Sequence, residues 1–504
     1  MTTRITTLLL CACSFLVLGC EADEDGSFSI TNADFAGSSV PTGSGQGPTG
    51  EPVFDTIVEN PFVVVQEEPI STFSIDADGG SYAVTRRLIR EGNSGLDAYR
   101  PAIRSEEFVN YLPLGYDFNE PSHPIDLDGE VVQCPWAPSH KLIRIGIVGE
   151  PIAEADLPAS NYVFLIDVSG SMGTAGKLDL LKQGFSALVT TFDANDRVAI
   201  VTYSGNTAVA LGSTRGDQHS RILAVLNGLT TGGGTNGGQG ILDAYSLAEE
   251  GFIEGGNNRL ILATDGDFNV GITDRDELIA LIEREREKGV FLTTVGVGLG
   301  NYNEALMEQV ANKGNGTYEY VGDAQDIQKV FVHERSKLIA VAKDVKVQVE
   351  FDPNFVEQYR LIGYENRVLS TEDFTDDTRD AGEIGAGQSV TALYEIVPTE
   401  VGSRASQSSV TTPFTIDFRY KRPDADESVP MVLTVSDDGR SLEQATDQTR
   451  LATSAAAFAL VLRRSAFIGN TTLADVSQWA NLAISIPDDH GYIADFRALI
   501  EEAR

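Results

Sequence analysis

Three short segments hold the residues with chemistry to offer. The first is Asp167-Val168-Ser169-Gly170-Ser171, which closes the apolar run YVFLI. The second is TTGGGTNGG, with Thr235 leading into a helix. The third is ATDGDFN, where Asp265 directly follows another apolar run. Ser169, Ser171 and Thr235 would offer hydroxyls, and Asp167 and Asp265 carboxylates. That is an all-oxygen set with few charges. Hard divalent cations want such ligands, and Mg²⁺ keeps water in an octahedral shell at about 2.0–2.1 Å. Asp267 and Asn269 stand near the same rim and read as shaping its loop. A lone Asp-x-Ser-x-Ser says little, because Asp and Ser are common turn and cap residues. Three pieces in order, each just past a strand, say much more.

Those residues need a scaffold that brings distant loops together. Strand-like runs fall at 162–167, 198–203, 260–264, 291–297 and 318–321, with a short edge strand at 207–211. Helical patterns lie between them, at about 177–192, 217–229, 238–252, 274–288, 303–313 and 324–338. Strands alternating with helices predict a mainly parallel sheet covered on both faces. In such open α/β sheets, ligands bind outside the carboxyl ends of the strands. The three segments lie at those ends and converge if their strands are neighbours.

The flanks read differently. PISTFSIDADGGSYAVTRRLIREG suggests a strand, a turn and a helix, with Asp78 or Ser81 as its cap. A second helix begins near Ser105, with Glu106 and Glu107 in its first turn. Asp76-Ala77-Asp78-Gly79 superficially resembles a calcium loop, but Arg87 stands where an EF-hand needs its last glutamate, so a turn and cap is the expectation. Alternation in Leu142-Ile143-Arg144-Ile145-Gly146-Ile147 marks a strand. KDVKVQVEFDP puts Val345, Val347 and Val349 on one face, and QSVTALYEIVP, FTIDFRY and VPMVLTVSD extend an antiparallel region. From Ser441 the chain turns helical, with an alanine-rich stretch at 451–463. The β segments at about 128–150 and 341–435 are expected to pair into one sandwich, with the central domain inserted between them.

The amino-terminal segment MTTRITTLLLCACSFLVLGC has one basic residue, Arg4, and an apolar run too short to span a bilayer. It ends in Val17-Leu18-Gly19-Cys20, which resembles the bacterial lipobox, with Leu18 bulkier than the motif prefers. A lipidated Cys20 would anchor the chain without spanning the membrane. Residues 21–52, rich in Gly, Ser, Thr, Pro and acids, suit a flexible tether. Of four cysteines only Cys20 and Cys134 would remain after cleavage, so Cys134 reads as a buried small hydrophobe. Seventy-four acidic residues against 37 basic give a net charge of -37 over 504 residues. Such a chain repels phosphates, which argues against nucleic acid as a partner.

As a set, DVSGSMG, GGGTN and LATDGD resemble the metal-ion-dependent adhesion site of von Willebrand factor type A domains. The resemblance maps that site onto Asp167, Ser169, Ser171, Thr235 and Asp265. It implies a Mg²⁺-type site for protein recognition rather than catalysis, with Ca²⁺ or Mn²⁺ left open. The serines and threonine would bind directly, the aspartates often through water, and a carboxylate on a partner protein would complete the shell. The flanks resemble an exported bacterial lipoprotein subgroup that carries such a domain between an N-terminal module and a C-terminal domain of unknown function. The implied division is a signal peptide at 1–19, a lipidated linker at 20–59, an N-terminal module at 60–127 and a β segment at 128–158. The doubly wound, Rossmann-like α/β domain follows at 159–340, then β and α segments at 341–504. The implied place is the cell envelope, at an outer membrane facing periplasm or cell surface. The competing readings are weaker. GSMGTAGKL is no P-loop, because Leu178 replaces its Ser or Thr. His333-Glu334 has Lys337 where a zincin needs histidine, and no Gly-x-Ser-x-Gly elbow is present at 164–170. The expectation is therefore a membrane-anchored binding module and not an enzyme. The alternative is a structural or regulatory envelope protein, such as an accessory to a channel, that binds without metal.

Overall fold

The computed structural model describes residues 56–76, 78–92, 95–120, 122–232, 239–266, 274–298, 304–408 and 411–504. The expected signal peptide, the linker to residue 55 and Cys20 lie outside them, as do Thr235, Asp267 and Asn269.

The central sheet has six strands, in the order Tyr318–Val321, Val290–Val297, Asn257–Thr264, Ser160–Asp167, Arg197–Tyr203, Thr207–Arg215. The first five run parallel and the last is antiparallel. Every residue of Ser160–Asp167 is buried, because helices cover both faces. Tyr162, Phe164 and Ile166 meet Leu181, Phe185 and Phe331 on one face; Val163 and Leu165 meet Ile241, Ala244 and Leu281 on the other. This is the α/β fold that alternating strand and helix patterns predict. The chain leaves Ser160–Asp167 toward one edge and later returns to its other side at Asn257–Thr264. The order therefore reverses between these two strands, and a crevice opens at their carboxyl ends.

Two elements depart from expectation. The edge strand runs on to Arg215, past the expected 211, with two register shifts against Arg197–Tyr203. Its last four residues, Gly212-Ser213-Thr214-Arg215, have no large apolar side chain, so its second half carried no apolar signal. The single helix expected at 324–338 is three pieces: Ala324–Gln328, a π turn at Lys329–His333 and a 3₁₀ turn at Arg335–Leu338. Buried Lys329 ties itself to Glu334, five residues on, and that reach favours the wider turn.

The flanking segments build two antiparallel sheets around one buried cluster. In the first, Lys141–Gly149 pairs with both Ile125–Gln133 and Ser389–Pro398. In the second, Ala340–Phe351 pairs with both Ile70–Ser74 and Phe414–Lys421. Val345, Val347 and Val349 all point into the shared core, with Ile143, Ile145 and Ile147 opposite. Strands from before and after the central sheet are thus interleaved. Helices Gly80–Arg90, Ser105–Tyr111, Asp447–Arg463, Leu473–Ala480 and Tyr492–Glu502 form a further layer with its own core. Cys134 lies there, free and buried, and burial pushes its thiol up.

One cap expectation fails. The Gly80–Arg90 helix has Gly79 at its N-cap with no side-chain hydrogen bond. Asp78 turns instead to Tyr318, and Ser81 Oγ accepts from Arg104 N. The helix start is met by Glu107 of the next helix, whose Oε2 accepts from Ser81 N at 2.6 Å. A carboxylate suits that position because the first-turn N–H groups lack intrahelical partners.

Candidate metal centre

Asp167 is the last residue of its strand and is fully buried. Its Oδ1 accepts from Ser169 N at 2.8 Å and its Oδ2 from Thr264 Oγ1 at 3.1 Å. Burial pushes its carboxyl up to about 6; Ser169 pulls the other way, and Asp265 adds to the rise. Just beyond, the chain coils through a 3₁₀ run, Gly170–Gly176, pinned by Met172 in the core. Ser169 Oγ and Ser171 Oγ are left 3.0 Å apart.

Asp265 follows the neighbouring strand, Asn257–Thr264, and is buried. Its Oδ2 accepts from Lys177 Nζ at 2.7 Å, and its Oδ1 has no donor among the described residues. Lys177 opens the helix Lys177–Val189 and was not expected here. Its stem lies against Gly298, past the end of Val290–Val297, where φ is +78° and a Cβ would come 2.5 Å from Lys177 Cε. The loop toward Thr235 also approaches: Gly232 N donates to Val168 O at 2.9 Å, and a Cβ on Gly173 would meet Thr231 Oγ1 at 2.8 Å.

Four expected ligands, Asp167, Ser169, Ser171 and Asp265, therefore gather at the crevice, while Thr235 lies outside the described residues. Thr264, which orients Asp167, and Lys177, which holds Asp265, were missed. Thr264 gave no signal inside an apolar run. Lys177 was visible only in a Gly-Lys pair that fails as a P-loop.

The donor set fits a hard cation. It offers hydroxyls and carboxylates and neither sulfur nor imidazole. Adjacent ligands of an octahedral Mg²⁺ shell stand about 2.9 Å apart, given bond lengths of about 2.05 Å. The two serine oxygens already have that spacing. Asp265 Oδ1, buried and without a donor among the described residues, has lone pairs free for a cation, while Lys177 meets only the carboxylate's other oxygen.

Comparison with known proteins agrees with this architecture. Residues 161–333 match the von Willebrand factor type A domain, 49–144 a family described as von Willebrand factor, and 336–504 the C-terminal region of uncharacterized protein YfbK. The chain is similar to "Uncharacterized protein YfbK" of Escherichia coli (strain K12), at 40% identity over 467 residues, 88% of this chain and 80% of that protein. Among solved structures it is similar to a von Willebrand factor type A protein from Catenulispora acidiphila, with 13% identity, 77% of this chain and 90% of that one covered, and a TM-score of 0.41. The ArnB paralog VWA2 from Sulfolobus acidocaldarius has 15% identity, coverage of 75% and 97%, and a TM-score of 0.38. Von Willebrand factor type A domains are mainly interaction modules and commonly bind a divalent metal.

Proposed function

The chain belongs to the YfbK family of von Willebrand factor type A proteins, and from that premise we propose a membrane-anchored, cation-dependent protein-binding module. Asp167, Ser169, Ser171, Thr235 and Asp265 hold one divalent cation, Mg²⁺ first and Ca²⁺ or Mn²⁺ as alternatives. The bound cation supplies a positive point charge that a carboxylate on a partner protein can reach. Buried Asp167 fixes the serine turn through the Ser169 N–H, and Thr264 holds its second oxygen. The observation that carries the reading is the convergence of an oxygen-only set on the reversal point of the sheet, with Asp265 Oδ1 lacking a donor among the described residues. Cys20 anchors the chain by lipid at the outer membrane, facing periplasm or cell surface.

A second reading has its own support. The Lys177–Asp265 ion pair gives the crevice carboxylate a protein cation as its partner without metal. A structural or regulatory envelope protein with metal-independent binding would use it. Pulldown from native envelopes separates the two. Partners recovered by the wild type, and lost with EDTA or in Asp167→Ala, support the first. Partners that survive both treatments contradict it.

A further inference from the structure

The Asp76–Asp78 segment joins the Ile70–Ser74 strand to the Gly80–Arg90 helix but caps nothing. It meets Glu308, from helix Glu304–Lys313 of the central domain. Asp76, Asp78 and Glu308 bring carboxylate oxygens within 4.8 Å of one another. All three are at most 4% exposed. Like charges so close, away from water, demand compensation.

Two guanidiniums supply part of it. Arg367, from the loop after Val356–Ile362, pairs with Asp76 at 2.8 Å, and Arg104 pairs with Glu308 at 2.9 Å. Glu107 stands 3.4 Å from Arg104 and is buried too. Four carboxylates thus meet two guanidiniums, so acid oxygens outnumber the cations that face them.

A separate observation points to a ligand. Asp78 Oδ1 accepts from Tyr318 N at 3.0 Å, but Asp78 Oδ2 is buried with no donor among the described residues. A buried carboxylate oxygen without a donor carries its full desolvation cost.

We propose that Asp76, Asp78 and Glu308 hold a second hard divalent cation, of the Ca²⁺ class, separate from the crevice site. Ca²⁺ tolerates irregular sets of 6–8 oxygens, and carbonyls or water would complete such a shell. Asp76 and Asp78 come from the segment before the central domain, Glu308 from within it and Arg367 from after it. A cation here fastens the domain to the body that its flanks build.

None of the five crevice residues takes part, so the two sites stand or fall separately. Calcium chloride is titrated calorimetrically into the full chain, in wild type and Asp167→Ala backgrounds. Asp78→Asn should remove one Ca²⁺ equivalent in each background and abolish the part of the melting-temperature rise due to that ion. Asp78→Asn keeps the shape and replaces one of three crowded, buried acids with an amide, so its melting temperature without calcium should not fall. Glu308→Gln gives an independent check, with at least a tenfold loss of Ca²⁺ affinity. Unchanged Ca²⁺ stoichiometry and affinity in folded Asp78→Asn or Glu308→Gln would overturn the proposal, as would an Asp167→Ala chain that binds no Ca²⁺.

Discussion

At the residue scale, the crevice turns on Lys177. Its ammonium holds Asp265 Oδ2, on the same carboxylate whose Oδ1 is left open for the cation. Unit charges about 4 Å apart interact by ~1–4 kcal/mol at the effective dielectric of a protein rim. Lys177→Met should therefore tighten Mg²⁺ binding roughly tenfold, since 1.4 kcal/mol is a factor of ten. The same change leaves Asp265 buried and unpaired, so metal-free stability should fall by about 3 kcal/mol. Mg²⁺ should restore much of that loss. Calorimetry and denaturant unfolding read the two effects, and equal Mg²⁺ affinity in both proteins contradicts the account of Lys177. That Asp167, Ser169, Ser171 and Asp265 would meet was legible only from the segments as a set, each placed directly past a strand, since any one of them reads as an ordinary turn. Lys177 was not, because its partner arrives from another strand. The turn expected at Asp76 is present, with Asp78 N donating to Asp76 Oδ1, but the cap expected at Asp78 is not, because only the fold brings Tyr318 and Glu308 to it.

At the element scale, the parallel sheet was readable because short, wholly apolar strands between amphipathic helices have one natural arrangement. The polar half of Thr207–Arg215 and the broken 324–338 helix were not, since both depend on edge pairing or on a buried ion pair. A cross-element contact also carries stability. Glu130, on the Ile125–Gln133 strand, accepts from Thr446 N and Thr446 Oγ1 at 3.0 and 2.6 Å, where the Asp447–Arg463 helix begins. Burial pushes the Glu130 carboxyl up, but hydrogen bonds from Thr446 and Thr449 outweigh it and hold it below its ordinary value. A lowered folded value gives stability that is present above the unfolded glutamate value, about 4.3, and is lost as pH falls through the lower folded one. Glu130→Gln should cost about 1–2 kcal/mol at pH 7. It should also remove part of the acid limb of the stability profile. A variant with wild-type stability at pH 7 and an unchanged acid limb would refute this.

At the scale of the whole molecule, the central domain is an insertion in a body whose strands interleave across it. Ile70–Ser74 needs Ala340–Phe351, and Lys141–Gly149 needs Ser389–Pro398. A chain ended after residue 335 should therefore lose the cooperative melting of the sandwich. A soluble truncated chain that keeps that transition in calorimetry would contradict the topology. The anchor is tested as simply: Cys20→Ser should abolish labelled palmitate incorporation and move the protein from the membrane to the soluble fraction. Retention of label in the variant would exclude Cys20 as the acceptor. Among the described residues no helix is long and apolar enough to cross a membrane.

The central claim is that the crevice holds one cation on residues from separate strands. Titration of magnesium chloride into the wild type and Asp167→Ala, each shown folded by its melting curve, tests it most directly. The account predicts one Mg²⁺ equivalent at the crevice in the wild type and its loss in Asp167→Ala. Equal Mg²⁺ binding by the two proteins would contradict it.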